Sequence, residues 1–156
     1  MKRNILLFLV ALAVFGCATK KDSIPVEDLK EMLKEHALIV AQQDGTVETY
    51  DDNGIKPLFK HLEKGTFKDC YVFDKVTGKA SALVLVYGEA TVLYTTILSK
   101  EAIPVLEKHG IQYYTDKTVD YIVNMTGDDK CPMEKTVTDI DDPAEAFQVL
   151  KEKFGK

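Results

Sequence analysis

Two lysines four residues apart are the first side chains whose spacing suggests chemistry. Lys75 and Lys79 would face the same way if both lay on one helix, and their like charges would then repel unless an acid or a ligand lay between them. A phosphate group would relieve that repulsion, and so would the carboxylate of Asp74. Gly78-Lys79 is not a P-loop, because the rest of that motif is missing. An anion site and an ordinary solvated surface therefore both remain open for this segment.

The thiol of Cys131 is the second candidate for chemistry. It precedes Pro132, where we expect a helix to begin, and backbone N–H groups at a helix start can activate a thiol as a nucleophile. Asp128 and Asp129 oppose this, since nearby negative charge disfavours a thiolate. A nucleophile and a small buried apolar side chain both remain open interpretations. We expect Glu134 to be an ordinary first-turn residue of the same helix.

The first seventeen residues have the layout of a bacterial export signal. Lys2 and Arg3 precede an uncharged run, residues 5–16, which is too short to cross a membrane as a helix. The run ends in Val14-Phe15-Gly16-Cys17, which resembles the lipobox of bacterial lipoproteins. This resemblance implies that Cys17 becomes the acylated first residue of the mature chain and anchors it to a membrane of the cell envelope. A plain signal peptide beside a coincidental cysteine is the alternative.

The predicted organisation is a signal peptide at residues 1–16, a polar tether at 17–24 and one domain at 25–156. The chain has 20 basic and 25 acidic side chains, a net charge of −5, and no basic cluster free of neighbouring acids. This argues against nucleic acid as a partner, because nucleic-acid binders carry a basic footprint. The sequence leaves open whether Cys70 and Cys131 pair after export, and it identifies no protein partner.

Helical and strand-like spacings alternate along the first half of the domain. The expected elements are a helix at residues 26–36, a hairpin of Leu38–Gln42 and Val47–Tyr50 around Asp44-Gly45, a helix through Ile55 and Leu62, and a strand at residues 70–73. Residues 80–87 are almost entirely apolar and fit either a buried strand or a buried helix. Periodicity alone cannot decide between the two.

The second half continues the alternation. We expect a strand at residues 90–98, a helix at 99–109 that kinks or begins late because of Pro104, a strand at 111–114, a short helix at 119–123, and helices that begin at Pro132 and Pro143. A hairpin followed by alternating helices and strands predicts an α/β domain with helices on both faces of one sheet.

Three segments together resemble a known family. They are Gly54-Ile55-Lys56-Pro57-Leu58, Asp74-Lys75-Val76-Thr77-Gly78-Lys79-Ala80 and Thr126-Gly127-Asp128-Asp129-Lys130-Cys131-Pro132-Met133-Glu134. They are similar to the family called domain of unknown function 1893, and the likeness covers residues 38–154. It implies a three-layer cytidine-deaminase-like fold, in which a five-stranded mixed sheet has the hairpin at one end. It also implies that residues 80–87 belong to a buried helix beginning near Thr77.

The resemblance does not extend to the zinc ligands of working deaminases. Those enzymes need His or Cys with a catalytic Glu at one helix start, and Pro-Cys-x-x-Cys at the next. The matching helix starts here carry Ile55-Lys56-Pro57 and Thr77-Gly78-Lys79, so we expect no metal and no cofactor. The three histidines, His36, His61 and His109, are expected to be helix-end or surface residues rather than ligands.

An anion pocket is the main functional hypothesis that remains. Under the resemblance, the helix start near Thr77 offers free backbone donors, Gly78 allows close approach, and Lys56 points in from the neighbouring helix start. The leading hypothesis is an envelope lipoprotein whose metal-free domain binds a small anionic, nucleotide-like ligand through Lys56, Asp74, Lys75, Thr77, Gly78 and Lys79. The alternatives are a metal-free enzyme with Cys131 as nucleophile and a protein-interaction module without a ligand.

Overall fold

The computed structural model describes residues 26–156. Cys17, the expected signal peptide and the expected tether lie outside the described residues. Within residues 26–156, no helix is long and apolar enough to cross a membrane.

Among these residues, five strands form one mixed sheet in the order β2-β1-β3-β4-β5. They are β1 (Leu38–Gln42), β2 (Val47–Tyr50), β3 (Cys70–Thr77), β4 (Val92–Ser99) and β5 (Gln112–Val119). β1 is antiparallel to both β2 and β3, whereas β3, β4 and β5 run parallel. The predicted mixed sheet with the hairpin at one end is therefore confirmed.

The turn at Asp44-Gly45 sets the register of the hairpin. Gly45 has φ +94°, which favours glycine because it lacks a Cβ. The Gln42 amide donates to the Thr46 carbonyl at 2.8 Å and closes the loop. The resulting pairing, Ala41 with Val47 and Leu38 with Tyr50, turns Leu38 and Val40 towards the larger hydrophobic core.

In the described part of the chain, six helices cover the sheet on both faces, as predicted. They are α1 (Val26–Met32), α2 (Lys56–Leu62), α3 (Lys79–Tyr87), α4 (Ile103–Lys108), α5 (Pro132–Thr136) and α6 (Pro143–Phe154). α1 packs alone on one face, where Leu29 and Leu33 contact Ile39, Ala41 and Phe73. The other helices pack on the opposite face around α3. We call these two sides the α1 face and the α3 face.

The ambiguous apolar segment is a helix, as the family resemblance implied. α3 contacts α2, α4, α5 and α6 and buries Ala80 and residues 82–85, so it has no solvent-facing polar stripe. It begins at Lys79, two residues later than expected, because pairing of Val76 and Thr77 with β4 extends β3. Lys75 therefore lies in a strand, and of the two lysines only Lys79 lies in α3.

The predicted short helix at residues 119–123 is wrong. Val119 ends β5, where it pairs with Ser99, and Val123 forms an isolated bridge with Lys130. The three apolar residues in this stretch match helical spacing, but pairing with β4 carries the strand through Val119. The late start of the helix at Pro104 is confirmed, since α4 begins at Ile103. The cap of the last helix is also confirmed, because the Asp142 side chain accepts from the Glu145 amide at 2.8 Å.

Candidate functional site

The start of α3 holds a carboxylate from elsewhere in the chain. Glu134 Oε2 accepts from the Lys79 amide at 2.9 Å, and Oε1 accepts from the Ala80 amide at 2.9 Å. These amides are among the first four of the helix, which have no carbonyl partner within it. The positive end of the helix dipole adds to the attraction. The backbone donors that were expected to be free for a ligand are therefore occupied by Glu134.

Gly78 is required here by space. A Cβ at this position would lie 2.4 Å from Glu134 Oε1, far inside contact distance. Its φ of −102° is open to any residue, so conformational freedom is not the reason for glycine. The Met133 side chain packs against Gly54, just before α2. A Cβ on Gly54 would lie 3.3 Å from Met133 Cε. Consecutive side chains of α5 thus close against the starts of α2 and α3.

The Glu134 carboxyl is buried, with 3% of the residue exposed. Burial raises its pKa, because removal from water outweighs the lowering effect of the two amide hydrogen bonds. Glu101 raises the pKa further, whereas Lys130, which bonds Glu101 at 2.7 Å, lowers it. Glu134 lies in the first turn of α5, as expected. The sequence did not indicate that its side chain caps a different helix, α3.

The lysine ammonium groups of the predicted site lie apart. Lys75 Nζ donates to the Lys34 carbonyl at 2.9 Å, beyond the end of α1. Lys79 Nζ lies 2.9 Å from the Thr138 carbonyl and 2.9 Å from Asp141 Oδ1. Lys56 is exposed at the first residue of α2, where its charge acts on Asp52. The condition for a shared helix face is not met, because Lys75 lies in β3 and Lys79 in α3.

Asp74 begins a chain of hydrogen bonds at the carboxyl end of β3. Its Oδ2 lies 2.8 Å from Thr77 Oγ1, which lies 3.1 Å from Thr95 Oγ1, and that hydroxyl lies 3.0 Å from the Ile97 carbonyl. The Thr77 hydroxyl is the donor within reach of both Asp74 Oδ2 and Thr95 Oγ1, and the Thr95 hydroxyl donates to the Ile97 carbonyl.

Burial disfavours the charged form of Asp74. It raises the pKa to about 7, against lowering by the Thr77 hydroxyl and by the Val76 and Lys75 amides. Among residues 26–156 no ion pair joins Asp74 to Lys75 or Lys79, whose ammonium groups bond elsewhere, so Asp74 is not their counter-ion. A carboxyl that titrates near neutral pH is a common feature of functional sites.

Cys131 is the N-cap residue of α5 and is buried, with 7% exposed. Cys131 and Cys70 are both free thiols. No hydrogen bond within residues 26–156 joins the Cys131 thiol to a histidine or lysine that could serve as its base. Within the same range, no three His, Cys, Asp or Glu side chains are grouped to hold a metal.

The model of the family described as domain of unknown function, DUF1893, matches residues 28–154. The chain belongs to this family. It is similar in fold to a DUF1893 family protein from Thermotoga maritima with a crystal structure at 2.70 Å resolution. The TM-score is 0.73 at 23% identity, and the match covers 86% of this chain and 95% of that one. A search of curated proteins found no match.

A second polar cluster of this DUF1893 domain escaped the sequence analysis. Tyr50 Oη lies 2.5 Å from Glu48 Oε2 and 3.0 Å from His61 Nδ1, and Lys64 Nζ donates to Glu48 at 2.7 Å. His61 Nε2 lies 3.2 Å from the Thr66 carbonyl, and burial lowers the pKa of the imidazole. His61 is thus at a helix end, as expected, but it is buried. Two spacings in the sequence could have indicated this cluster. Glu48 and Tyr50 are two apart in a strand and so share a face, and His61 and Lys64 are three apart at a helix end.

The first prediction concerns the fit of Gly78 against Glu134. We expect Gly78→Ala to lower the free energy of unfolding by about 2 kcal/mol, because the new methyl collides with the carboxylate. Urea denaturation would measure it. Gly65→Ala is the matched control and should change little, since nothing lies within 4 Å of that position. The double variant Gly78→Ala/Glu134→Ala should lose less free energy of unfolding than the sum of the losses in the two single variants, because the new methyl then has no carboxylate to collide with. Strict additivity would contradict the contact.

The second prediction concerns Asp74 and pH. Folding raises its pKa from 3.8 to about 7, so the stability it contributes is complete at low pH and is lost as pH rises towards 7. Asp74→Asn cannot ionise. The variant should therefore gain in Tm relative to the parent from about pH 4 to about pH 7 and then level off. Exposed Asp139→Asn is the control, and an Asp74→Asn difference independent of pH would refute the assignment.

Proposed function

We propose that the chain is a cell-envelope lipoprotein anchored through Cys17, and that its domain is a metal-free, cytidine-deaminase-like module which binds a small anionic, nucleotide-like ligand at the start of α3. The main support for the proposal is the pair of hydrogen bonds that the Lys79 and Ala80 amides donate to the Glu134 carboxylate. Both oxygens are held at 2.9 Å, so this helix start accepts a planar anion with good geometry.

The order of elements supports the deaminase-like assignment. The chain runs through a hairpin, a helix, a strand and a second helix. Under this assignment the starts of α2 and α3 would correspond to the two helix starts that hold the metal in zinc deaminases. Neither start supplies a thiolate or imidazole ligand, because they carry Ile55-Lys56-Pro57 and Thr77-Gly78-Lys79. The donors that remain are backbone amides, and these bind an anion rather than a cation.

In this proposal Glu134 stands in for the acidic group of the ligand. A carboxylate or phosphate that enters must displace the Glu134 carboxylate from the Lys79 and Ala80 amides. The raised pKa of Glu134 means that the buried charge is costly, which favours its release into water. Removing this internal competitor should therefore expose the amides to added anions.

The third prediction tests anion binding. Glu134→Ala should lower Tm, because two buried amides lose their partner, and formate, acetate or phosphate should restore much of the loss by refilling the space. Nucleoside monophosphates should stabilise the parent chain as well, but at higher concentration, since they compete with Glu134. Exposed Glu152→Ala is the control for general salt effects. If every anion shifts the two variants equally, the start of α3 is not an anion site.

The fourth prediction tests the anchor. Its support is the uncharged run of residues 5–16 before Cys17 and the polar segment that follows. In a bacterial host, the parent chain should incorporate labelled palmitate and fractionate with membranes. Cys17→Ser should lose both properties, whereas Cys70→Ser should keep both. Retention of label and membrane association by Cys17→Ser would refute the lipoprotein assignment.

A further inference from the structure

The α1 face of the sheet is only partly covered. α1 packs over β1 and β3, and a cavity of about 250 Å³ lies between this helix and the parallel strands β4 and β5. Its lining includes Lys30, Tyr94, Thr96, Tyr114 and Asp116. The volume lies just below the range of pockets for drug-sized ligands, so it suits a smaller molecule. This cavity is on the opposite side of the sheet from Glu134 and α5.

A row of stacked rings forms the aromatic part of this cavity. Tyr94 stacks on Phe73 with centroids 4.7 Å apart and an interplanar angle of 9°, and on Tyr114 at 4.7 Å and 14°. Tyr94 thus has a ring on either side. Tyr114 ends the row on the edge strand β5 and is 44% exposed. A planar ligand ring can therefore stack on Tyr114 and continue the row.

Two charged side chains line this cavity, Lys30 and Asp116, and the negative charge of Asp116 is the one available to a ligand. Lys30 Nζ already lies 3.5 Å from Glu27 Oε1 and 5.9 Å from the Tyr94 centroid, so its charge is partly compensated. Asp116 lies two residues after Tyr114 on the same strand, and strand alternation places both side chains on the same face. Within residues 26–156, no hydrogen bond or ion pair involves the Asp116 carboxylate.

We propose that this cavity binds a small aromatic amine, with its ring against Tyr114 and its ammonium group paired with Asp116. An aromatic face beside an uncompensated carboxylate attracts an organic cation through both cation–π and ionic contacts. An aromatic acid of the same size meets the repulsion of Asp116, and an aliphatic amine lacks the ring that stacks on Tyr114. The site differs from the proposed anion site in position and in the sign of charge.

The fifth prediction compares three probes of matched size by titration calorimetry. Phenethylamine should bind the parent domain, whereas 3-phenylpropionate and 2-cyclohexylethylamine should bind at least tenfold more weakly. Asp116→Asn should weaken phenethylamine binding tenfold or more, because the ionic partner is lost. Tyr114→Leu should weaken it similarly, and Tyr114→Phe, which keeps the ring, should retain it. Exposed Asp139→Asn is the control carboxylate, and circular dichroism confirms that each variant is folded.

Four outcomes would overturn the proposal. They are no phenethylamine binding at 10 mM-scale concentrations, equal binding of the aromatic acid, parent-like binding by Asp116→Asn, and parent-like binding by Tyr114→Leu. Glu134→Ala serves as an independent arm, because it should bind phenethylamine like the parent. The amine result and the anion result can therefore fail separately.

Discussion

The arrangement of this domain depends on one contact, in which the buried Glu134 carboxylate accepts hydrogen bonds from the first amides of α3. α3 is surrounded by four other helices, and Gly78 and Ala80 at its amino-terminal end are buried. Unpaired amides in such a place cost free energy comparable to a lost hydrogen bond. Gly78 at the N-cap offers no side chain, and Glu134, 55 residues after Lys79, supplies the acceptor instead. One interaction thereby ties α5 to the centre of the fold.

That constraint explains the arrangement of the neighbouring polar groups. Lys79 reaches away from its own helix start, which Glu134 already neutralises, towards the end of α5 and Asp141. Asp74, on the strand before α3, is held by Thr77 and by local backbone amides and has no cationic partner. Two carboxyls near one helix start thus both have raised pKa values, and for both the largest cause is burial. Under the proposed function, these groups would sense the charge of a ligand.

The two faces of the sheet differ in how completely they are covered. Of the helices within residues 26–156, five close the α3 face, whereas α1 alone covers the other and leaves β4 and β5 partly open. Strand alternation requires every strand to present side chains to both faces, so the open part must carry residues that tolerate water. Tyrosines meet this need, since they combine apolar rings with polar hydroxyls. The row that ends at Tyr114 is a stable surface by itself and also a platform for a planar ligand.

Local features of this protein follow from residues that are close together in the chain. Asp44-Gly45 fixed the hairpin, Asp142-Pro143 fixed the start of the last helix, and Pro104 delayed α4, because each acts through backbone conformations or caps within a few residues. The family resemblance also placed the buried helix and the sheet. Only the tertiary structure decided which groups meet: β4 drew Lys75 into a strand and Val119 into β5, and Glu134 filled the expected anion position. Contacts between residues this far apart depend on packing, and neither composition nor periodicity records them.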